Sequence, residues 1–326
     1  MEKICHLDNL NEAFLRAAKG KAAKKSVILF RESLSSNLSS IASDLLANQY
    51  VISPGHTFTI YDPKKRDILA PTFRDAVTYQ AVMRICHPIF DAYQIYDSYA
   101  SRPGKGPDVA LERALDYTHR YDWFLKLDVV KYFDSIDHYV MFEQLSRMFK
   151  DPLLMQFFWK FLSSHNEDTG KGLGIGALPS QYFANHYLSI SDHYLKERMR
   201  VPAMVRYMDD FVLFAQKKTD LIAYEKEIRL FIRDTLKLEL HQMQLGKTRY
   251  GVPFLGFVVG ENGLRLSSRS RSRFRRNLAK VEYLYEEGLI TENKCRERVL
   301  AMKSFVDKAA KPSFRDKVFR EIGLFS

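Results

Sequence analysis

Two short apolar runs, Ala203 to Tyr207 and Phe211 to Ala215, enclose Met208-Asp209-Asp210 and leave this stretch one economical fold. Runs of that length and texture read as strands, and a short polar break between them reads as a hairpin tip. Adjacent acids are also common in surface turns, but the apolar flanks argue for a sheet. A third run, Trp123 to Leu127, stops at Asp128 and can bring another carboxylate to the same end. Two carboxylates about 4 Å apart repel by roughly 4 kcal/mol at an effective dielectric near 20, so a half-buried cluster demands protons or cations. Few hard oxygen ligands favour Mg2+, which keeps its waters and binds substrate phosphates. Two such ions about 3.5–4 Å apart would hold the attacking and leaving oxygens of a phosphoryl transfer.

The rest of the chain is compatible with that chemistry. Its 326 residues are 46% apolar and 27% charged, which excludes a disordered or fibrous chain and allows two or three domains. Fifty Lys and Arg against 39 Asp and Glu leave +11, a bias toward a polyanionic partner, with a merely solvated basic surface as the alternative. Cys5, Cys86 and Cys295 are odd in number and widely spaced, which excludes a zinc or C-x-x-C redox motif and points to a reducing compartment. No export signal and no membrane span are legible, so the cytoplasm is the expected location.

Periodicity divides the chain. Residues 1–52 read as helical, 56–70 as a hairpin around Tyr61-Asp62-Pro63, and Phe73 to about Phe90 as helix again. From Trp123 to Val259 helical segments near 139–163 and 179–199 alternate with the apolar runs, and Pro253 to Val259 supplies the last of these. Two helices on a sheet of about four strands, an α+β arrangement, would satisfy the pattern. Residues 264–326 hold 16 basic and 8 acidic residues. Phe274, Leu278, Val281 and Tyr285 mark one amphipathic helix, with Arg269, Arg273, Arg276 and Lys280 as a stripe beside it. Cys295, Val299, Met302 and Val306 mark a second, and Ser267 to Ser272 is the expected junction.

Several motifs together resemble one family. Phe124 to His138, through Asp128-Val129-Val130-Lys131-Tyr132-Phe133-Asp134, resembles the first palm motif of reverse transcriptases, and Tyr207-Met208-Asp209-Asp210 resembles their YxDD box. Pro63 to Ile68 is similar to the fingers motif, Ser98 to Gly106 to the loop before the palm, and Gly246-Lys247-Thr248 with Phe254 to Phe257 to the closing palm motifs. The resemblance implies a right-hand polymerase: fingers with N-terminal helices over 1–122, palm over 123–263 with fingers elements interleaved, and a short basic thumb over 264–326. It implies that Asp128 and Asp209 ligate two Mg2+ ions, Mn2+ being a possible substitute, with Asp210 assisting and the Val129 carbonyl contributing. Arg66 and Lys64 would clamp the triphosphate, Phe133 would exclude a ribose 2′-hydroxyl, and Lys247 would approach the leaving pyrophosphate. Arg102, Lys105 and the thumb stripe would contact nucleic acid. Asp134 and Asp137 are expected to cap and orient the helix after the strand.

The Gly-rich segment Gly172 to Gln181 fits neither a Walker loop nor a dinucleotide fingerprint. Aligned on Ala184 to Leu188 it resembles the second palm motif, in the Ile-Gly-x-x-x-Ser-Gln form found in reverse transcriptases of diversity-generating retroelements. Ile175 stands where group II intron and viral enzymes carry Gln, and Gly176 follows it at the nucleotide. Pro179 replaces a more usual polar residue and is tolerated in a first helical turn. The subfamily implies a template-repeat RNA, a cDNA primer, dNTPs, a small basic oligomeric accessory protein, and a bacterial or phage origin. Retron, defence-associated or group II-like reverse transcriptases, an RNA-dependent RNA polymerase and a non-enzymatic RNA-binding module are the alternatives.

Overall fold

A computed structural model of the chain describes residues 1–61, 65–165 and 169–309. The N-terminal part runs α1 (Glu2–Cys5), α2 (Leu7–Ala18), α3 (Lys25–Glu32), α4 (Leu34–Leu46), β1 (His56–Ile60), β2 (Arg66–Ala70) and α5 (Phe73–Tyr93). It continues α6 (Pro107–Arg120), β3 (Trp123–Leu127), α7 (Tyr132–Ser135), α8 (His138–Met148), α9 (Pro152–Ser163), α10 (Leu178–Tyr187) and α11 (Ser189–His193). The remainder is β4 (Ala203–Tyr207), β5 (Asp210–Ala215), α12 (Lys218–Leu236), β6 (Gln244–Lys247), β7 (Val252–Phe254), β8 (Phe257–Gly260), β9 (Gly263–Leu266), α13 (Ser268–Glu286) and α14 (Glu292–Val306). Two compact units interleave along the sequence: Met1–Gly104 with Asp128–Arg200 and Lys226–His241, and Lys105–Leu127 with Val201–Glu225 and the described residues from Gln242 onward.

In the first unit, α2 buries Leu10, Ala13, Phe14 and Ala17, spaced three and four apart, and packs that stripe on α5. Thr72 caps α5 by accepting from the Asp75 amide, and the helix runs three residues past the expected end. The core of this unit is aromatic: Phe90 meets Phe149 at 5.2 Å, and Phe183 meets Phe158 at 5.2 Å and Phe161 at 5.6 Å. The helical stretch near 139–163 is two helices, because Asp151 caps a new one that opens with Pro152. Likewise 179–199 is broken into α10, α11 and a π-helical turn at Tyr194–Arg198. The expected hairpin forms, pairing His56 with Ala70 through Ile60 with Arg66.

In the second unit four antiparallel strands lie in the order β4-β5-β3-β6. Helix α6 packs on β4 and β8, with Tyr117 5.4 Å from Phe214. The fourth strand is Gln244–Lys247 and not the run Pro253 to Val259, which is a correction to the sequence expectation. That run turns back on itself at Leu255 and Gly256, both at positive φ, and forms a separate three-stranded sheet, β7-β8-β9. The expected junction at 267–272 is also corrected: Ser267 caps α13, and Ser270 donates to the Gly256 carbonyl at 2.7 Å. Phe274, Leu278 and Val281 face inward as expected, whereas Tyr285 is exposed.

Candidate active site

The hairpin register fixes the acidic turn. Tyr207 pairs with Asp210, leaving Met208-Asp209 as a two-residue loop, and Phe211 pairs with Leu127, the residue that precedes Asp128 in the chain. Asp209 and Asp210 are half-buried. Lys126 donates to the Asp210 carboxylate at 2.7 Å and to the Pro253 carbonyl at 3.2 Å. Arg206, a lone charge inside β4, is fully buried and donates to the Met208 carbonyl at 2.9 Å. Arg206 belongs to no motif that marks it in the sequence, and Lys126, although it falls within the run Phe124 to His138, is given no role by that motif; a charge interrupting a buried run is the available signal.

Past β3, the chain bridges Val129 with Leu240. The bridge uses the Asp128 carbonyl, accepting from His241 at 2.9 Å, and the Val130 amide, donating to Glu239 at 2.8 Å. Val129's own carbonyl therefore points away from that ladder.

The Gly-rich segment laces two other parts of the first unit together. Leu173 donates to the Phe133 carbonyl at 2.8 Å, and Ile175 accepts from the Leu69 amide at 2.7 Å. Ile68 and Ile175 form a parallel bridge. Gly176 sits at φ +122°, and a Cβ there would lie 2.4 Å from the Leu69 carbonyl oxygen, so only glycine allows the approach. A cavity of about 600 Å³ results, lined by Lys65, Arg66, Asp67, Asp134, His165 and Ile175 among others. Phe133 is half-buried beside Asp134 in sequence, its ring edge-on to Tyr132 at 5.8 Å. His165 joins the cavity without any motif to announce it, whereas Lys65 falls within the Pro63 to Ile68 motif, which gave it no role. Burial holds the His165 imidazole below its ordinary pKa, and its ring leaves no room for a Cβ on Gly174.

Other expected site residues are distributed as follows. Asp137 caps α8, accepting from the Tyr139 and Val140 amides at 3.1 Å each, as expected. Burial pushes its carboxyl up, but Lys237, 2.9 Å away, and the helix amides bring it below the usual carboxylate range. Asp134 is corrected: it lies within α7 and lines the cavity. Arg102 is turned inward onto Asp91 at 2.7 Å and onto the carbonyls of Ile95 and Ser98. Lys247, in β6, places its ammonium 5.2 Å over the Trp123 ring. Arg269, Arg276 and Lys280 lie along α13, while Arg273 lies over Phe305 at 5.8 Å. Lys64 lies outside the described residues. Pro179 falls in the first turn of α10, as expected.

An antiparallel sheet whose hairpin tip carries paired carboxylates defines a right-hand polymerase palm. Residues 63–259 match the family described as "Reverse transcriptase (RNA-dependent DNA polymerase)", and the chain belongs to that family of RNA-directed DNA polymerases. Protein YkfC of Escherichia coli K12 is 25% identical over 284 residues, covering 72% of this chain and 73% of its own length. The group II intron-encoded protein LtrA of Lactococcus lactis is 23% identical over 266 residues, covering 60% of this chain and 44% of LtrA. A telomerase from Candida tropicalis, solved with a fragment of telomeric RNA, shares the fold at a TM-score of 0.53 and 13% identity, over 86% of this chain and 58% of the telomerase. The chain thus spans most of YkfC but less than two thirds of LtrA or telomerase. No described helix is long and apolar enough to cross a membrane.

Reverse transcriptases generally use Mg2+. Among the described residues no group of three or more His, Cys, Asp or Glu is gathered tightly enough to hold a metal ion. Mg2+ in phosphoryl transfer asks for only one or two carboxylates, with waters and substrate phosphates completing the shell. Asp209 and Asp210, adjacent hard carboxylates on a half-buried turn, are donors of that kind.

Proposed function

We propose that this chain is the reverse transcriptase of a diversity-generating retroelement, copying a template-repeat RNA into adenine-mutagenised cDNA by two-metal phosphoryl transfer. The polymerase reading is carried by the register that pairs Leu127 with Phe211, next to Asp128 on one side and Asp210 on the other. Asp128 and Asp209 would hold Mg2+, with Asp210 and the Val129 carbonyl supporting. Bound there, the metal would acidify the primer 3′-hydroxyl and offset charge on the transferred phosphoryl group. Arg66, with Lys65 beside it and Lys64 expected nearby in sequence, grips the triphosphate, since a guanidinium matches phosphate oxygens bidentately. The Phe133 ring excludes the 2′-hydroxyl, selecting dNTPs. Ile175 offers the incoming pair no side-chain hydrogen bond. Lys247 serves the pyrophosphate side.

The thumb stripe Arg269, Arg273, Arg276 and Lys280, with Lys105, holds the template–primer duplex by its phosphates. Arg102 shapes its own loop for that purpose. The division into fingers and N-terminal helices (1–122), palm (123–263) and thumb (264–326), a cytoplasmic location and a basic accessory protein belong to the same reading. A group II-like reverse transcriptase is the second reading, favoured by the similarity to LtrA. Asp209→Ala abolishes Mg2+-dependent extension of a DNA primer on RNA while leaving the circular dichroism unchanged; extension near the wild-type rate overturns the polymerase site. The neighbouring DNA separates the subfamilies: paired repeats differing at adenines support the retroelement, and catalytic-intron RNA flanks support the second reading.

A further inference from the structure

We propose that Arg206 and Lys126 are positioning residues of the Met208-Asp209-Asp210 turn, one holding its backbone and the other one of its carboxylates. The proposal rests on the polymerase reading above and concerns how that site is kept in shape. Arg206 is 0% exposed within an otherwise apolar strand. A guanidinium taken out of water is tolerated only where fixed acceptors receive its donors. One of those acceptors is the carbonyl of Met208, which stands at φ +54°. Met208 is the first residue of a two-residue hairpin loop, a place where positive φ normally calls for glycine. A long L side chain there is strained and persists only where its surroundings over-determine it. The buried Arg206, two residues back on β4, supplies that constraint.

Lys126 acts on the other end of the turn. It sits mid-β3, paired with Val212 of β5 and Gln244 of β6, so its backbone is held on both sides. Its ammonium joins the Asp210 carboxylate to the Pro253 carbonyl at the start of β7. Both partners of this ion pair are only 21% exposed at the side chain, so solvent screens it weakly. The Lys126 ammonium beside the Asp210 carboxylate offsets the repulsion between adjacent carboxylates that would otherwise splay the turn. The backbone anchor and the carboxylate anchor lie in the same compact unit and act on the two sides of one hairpin tip, at Met208 in the loop and at Asp210 where β5 begins.

The test uses the full chain as wild type, Arg206→Met, Arg206→Lys, Lys126→Met and Asp209→Ala. Mn2+ binding to each protein is followed by electron paramagnetic resonance, alongside primer-extension kcat, dNTP KM and melting temperature. Groups that orient metal ligands typically change affinity or activity by about 10–100-fold, and a loss of that size in both Mn2+ affinity and kcat is expected for Arg206→Met and Lys126→Met. The dNTP KM is expected to stay unchanged, and Arg206→Lys to recover part of the loss. Wild-type Mn2+ affinity and kcat in Lys126→Met, which changes a partly exposed residue and does not depend on Arg206 variants folding, overturns the Lys126 assignment. The same result in Arg206→Met overturns that of Arg206, as does a rise in KM with kcat intact. If Asp209→Ala itself binds Mn2+ and extends like wild type, the polymerase site fails first and the proposal falls with it.

Discussion

Replacing Gly176 with alanine probes the seam between the Gly-rich segment and β2. The added Cβ would lie 2.4 Å from the Leu69 carbonyl oxygen and 3.0 Å from Ile68 Cγ2. The first of these neighbours is backbone, which cannot rotate away like a side-chain tip. Two responses are open to the chain. Holding the native geometry adds backbone strain of about 1–3 kcal/mol at φ +122°. Letting β2 swing back gives up the Leu69-to-Ile175 hydrogen bond, about 0.5–1.5 kcal/mol net. The second response moves Arg66, three residues before Leu69, away from the cavity. At about 1.4 kcal/mol per factor of ten, the dNTP KM then rises about 2–12-fold.

The turn at Met208-Asp209 is untouched, so kcat is expected to stay at the wild-type value. Steady-state primer extension on RNA, with dNTP varied, gives both constants. Gly20→Ala is the control: φ is +72° there, but a Cβ meets nothing within 4 Å. It adds only conformational strain, so its KM stays at the wild-type value while its melting temperature falls. A Gly176→Ala enzyme with wild-type dNTP KM refutes the coupling of Ile175-Gly176 to the β1–β2 hairpin.

Three further outcomes are expected. Ile175→Gln lowers misincorporation, because a side chain with donors and acceptors tightens the grip on pair geometry by about 0.5–1.5 kcal/mol; a larger fall opposite template adenine than opposite other bases is what the proposed retroelement role, and not this physics, implies, and equal adenine error spectra in sequenced cDNA remove Ile175 from fidelity. Neutralising Arg269, Arg273, Arg276 and Lys280 together weakens duplex binding without sequence preference and flattens the slope of log affinity against log salt by about one for each phosphate left without its cation; an unchanged slope excludes them as phosphate-binding residues. Asp137→Ala costs about 1 kcal/mol at pH 7 through loss of the α8 cap. Because the folded carboxyl titrates below its unfolded value, that stabilisation is complete above the ordinary carboxylate pKa and is lost as pH falls through the folded one. Denaturant melts of both proteins at neutral pH and in acid should therefore converge in acid, and a gap independent of pH contradicts the charged-cap account.

What the sequence determined by itself is what neighbours along the chain decide. The 3.6-residue stripe of α2, the alternation of β1 and β2 and the apolar runs of β3, β4 and β5 are short-range patterns, and each forms where the pattern lies. The acidic hairpin tip is legible for the same reason, since two flanking strands and a two-residue loop leave no other arrangement. Strand partnership is a different matter. Gln244–Lys247 is too short and too polar to stand out, yet it pairs beside β3, while the more apolar 253–259 folds onto itself because Leu255 and Gly256 reverse the chain. Lys126 and Arg206 are hidden similarly: a charge in a strand looks like an interruption until its acceptors, 84 residues away at Asp210 and in the next turn at Met208, are in place. The Gly176 seam needs Leu69 to arrive from over a hundred residues earlier, and that Arg102 directs donors to Asp91 and two carbonyls of its own loop is not legible in the motif that contains it. Local propensity depends on what adjoins a residue in sequence, whereas the partner of a buried polar group depends on which distant segment the fold brings to it, and only the tertiary structure specifies that.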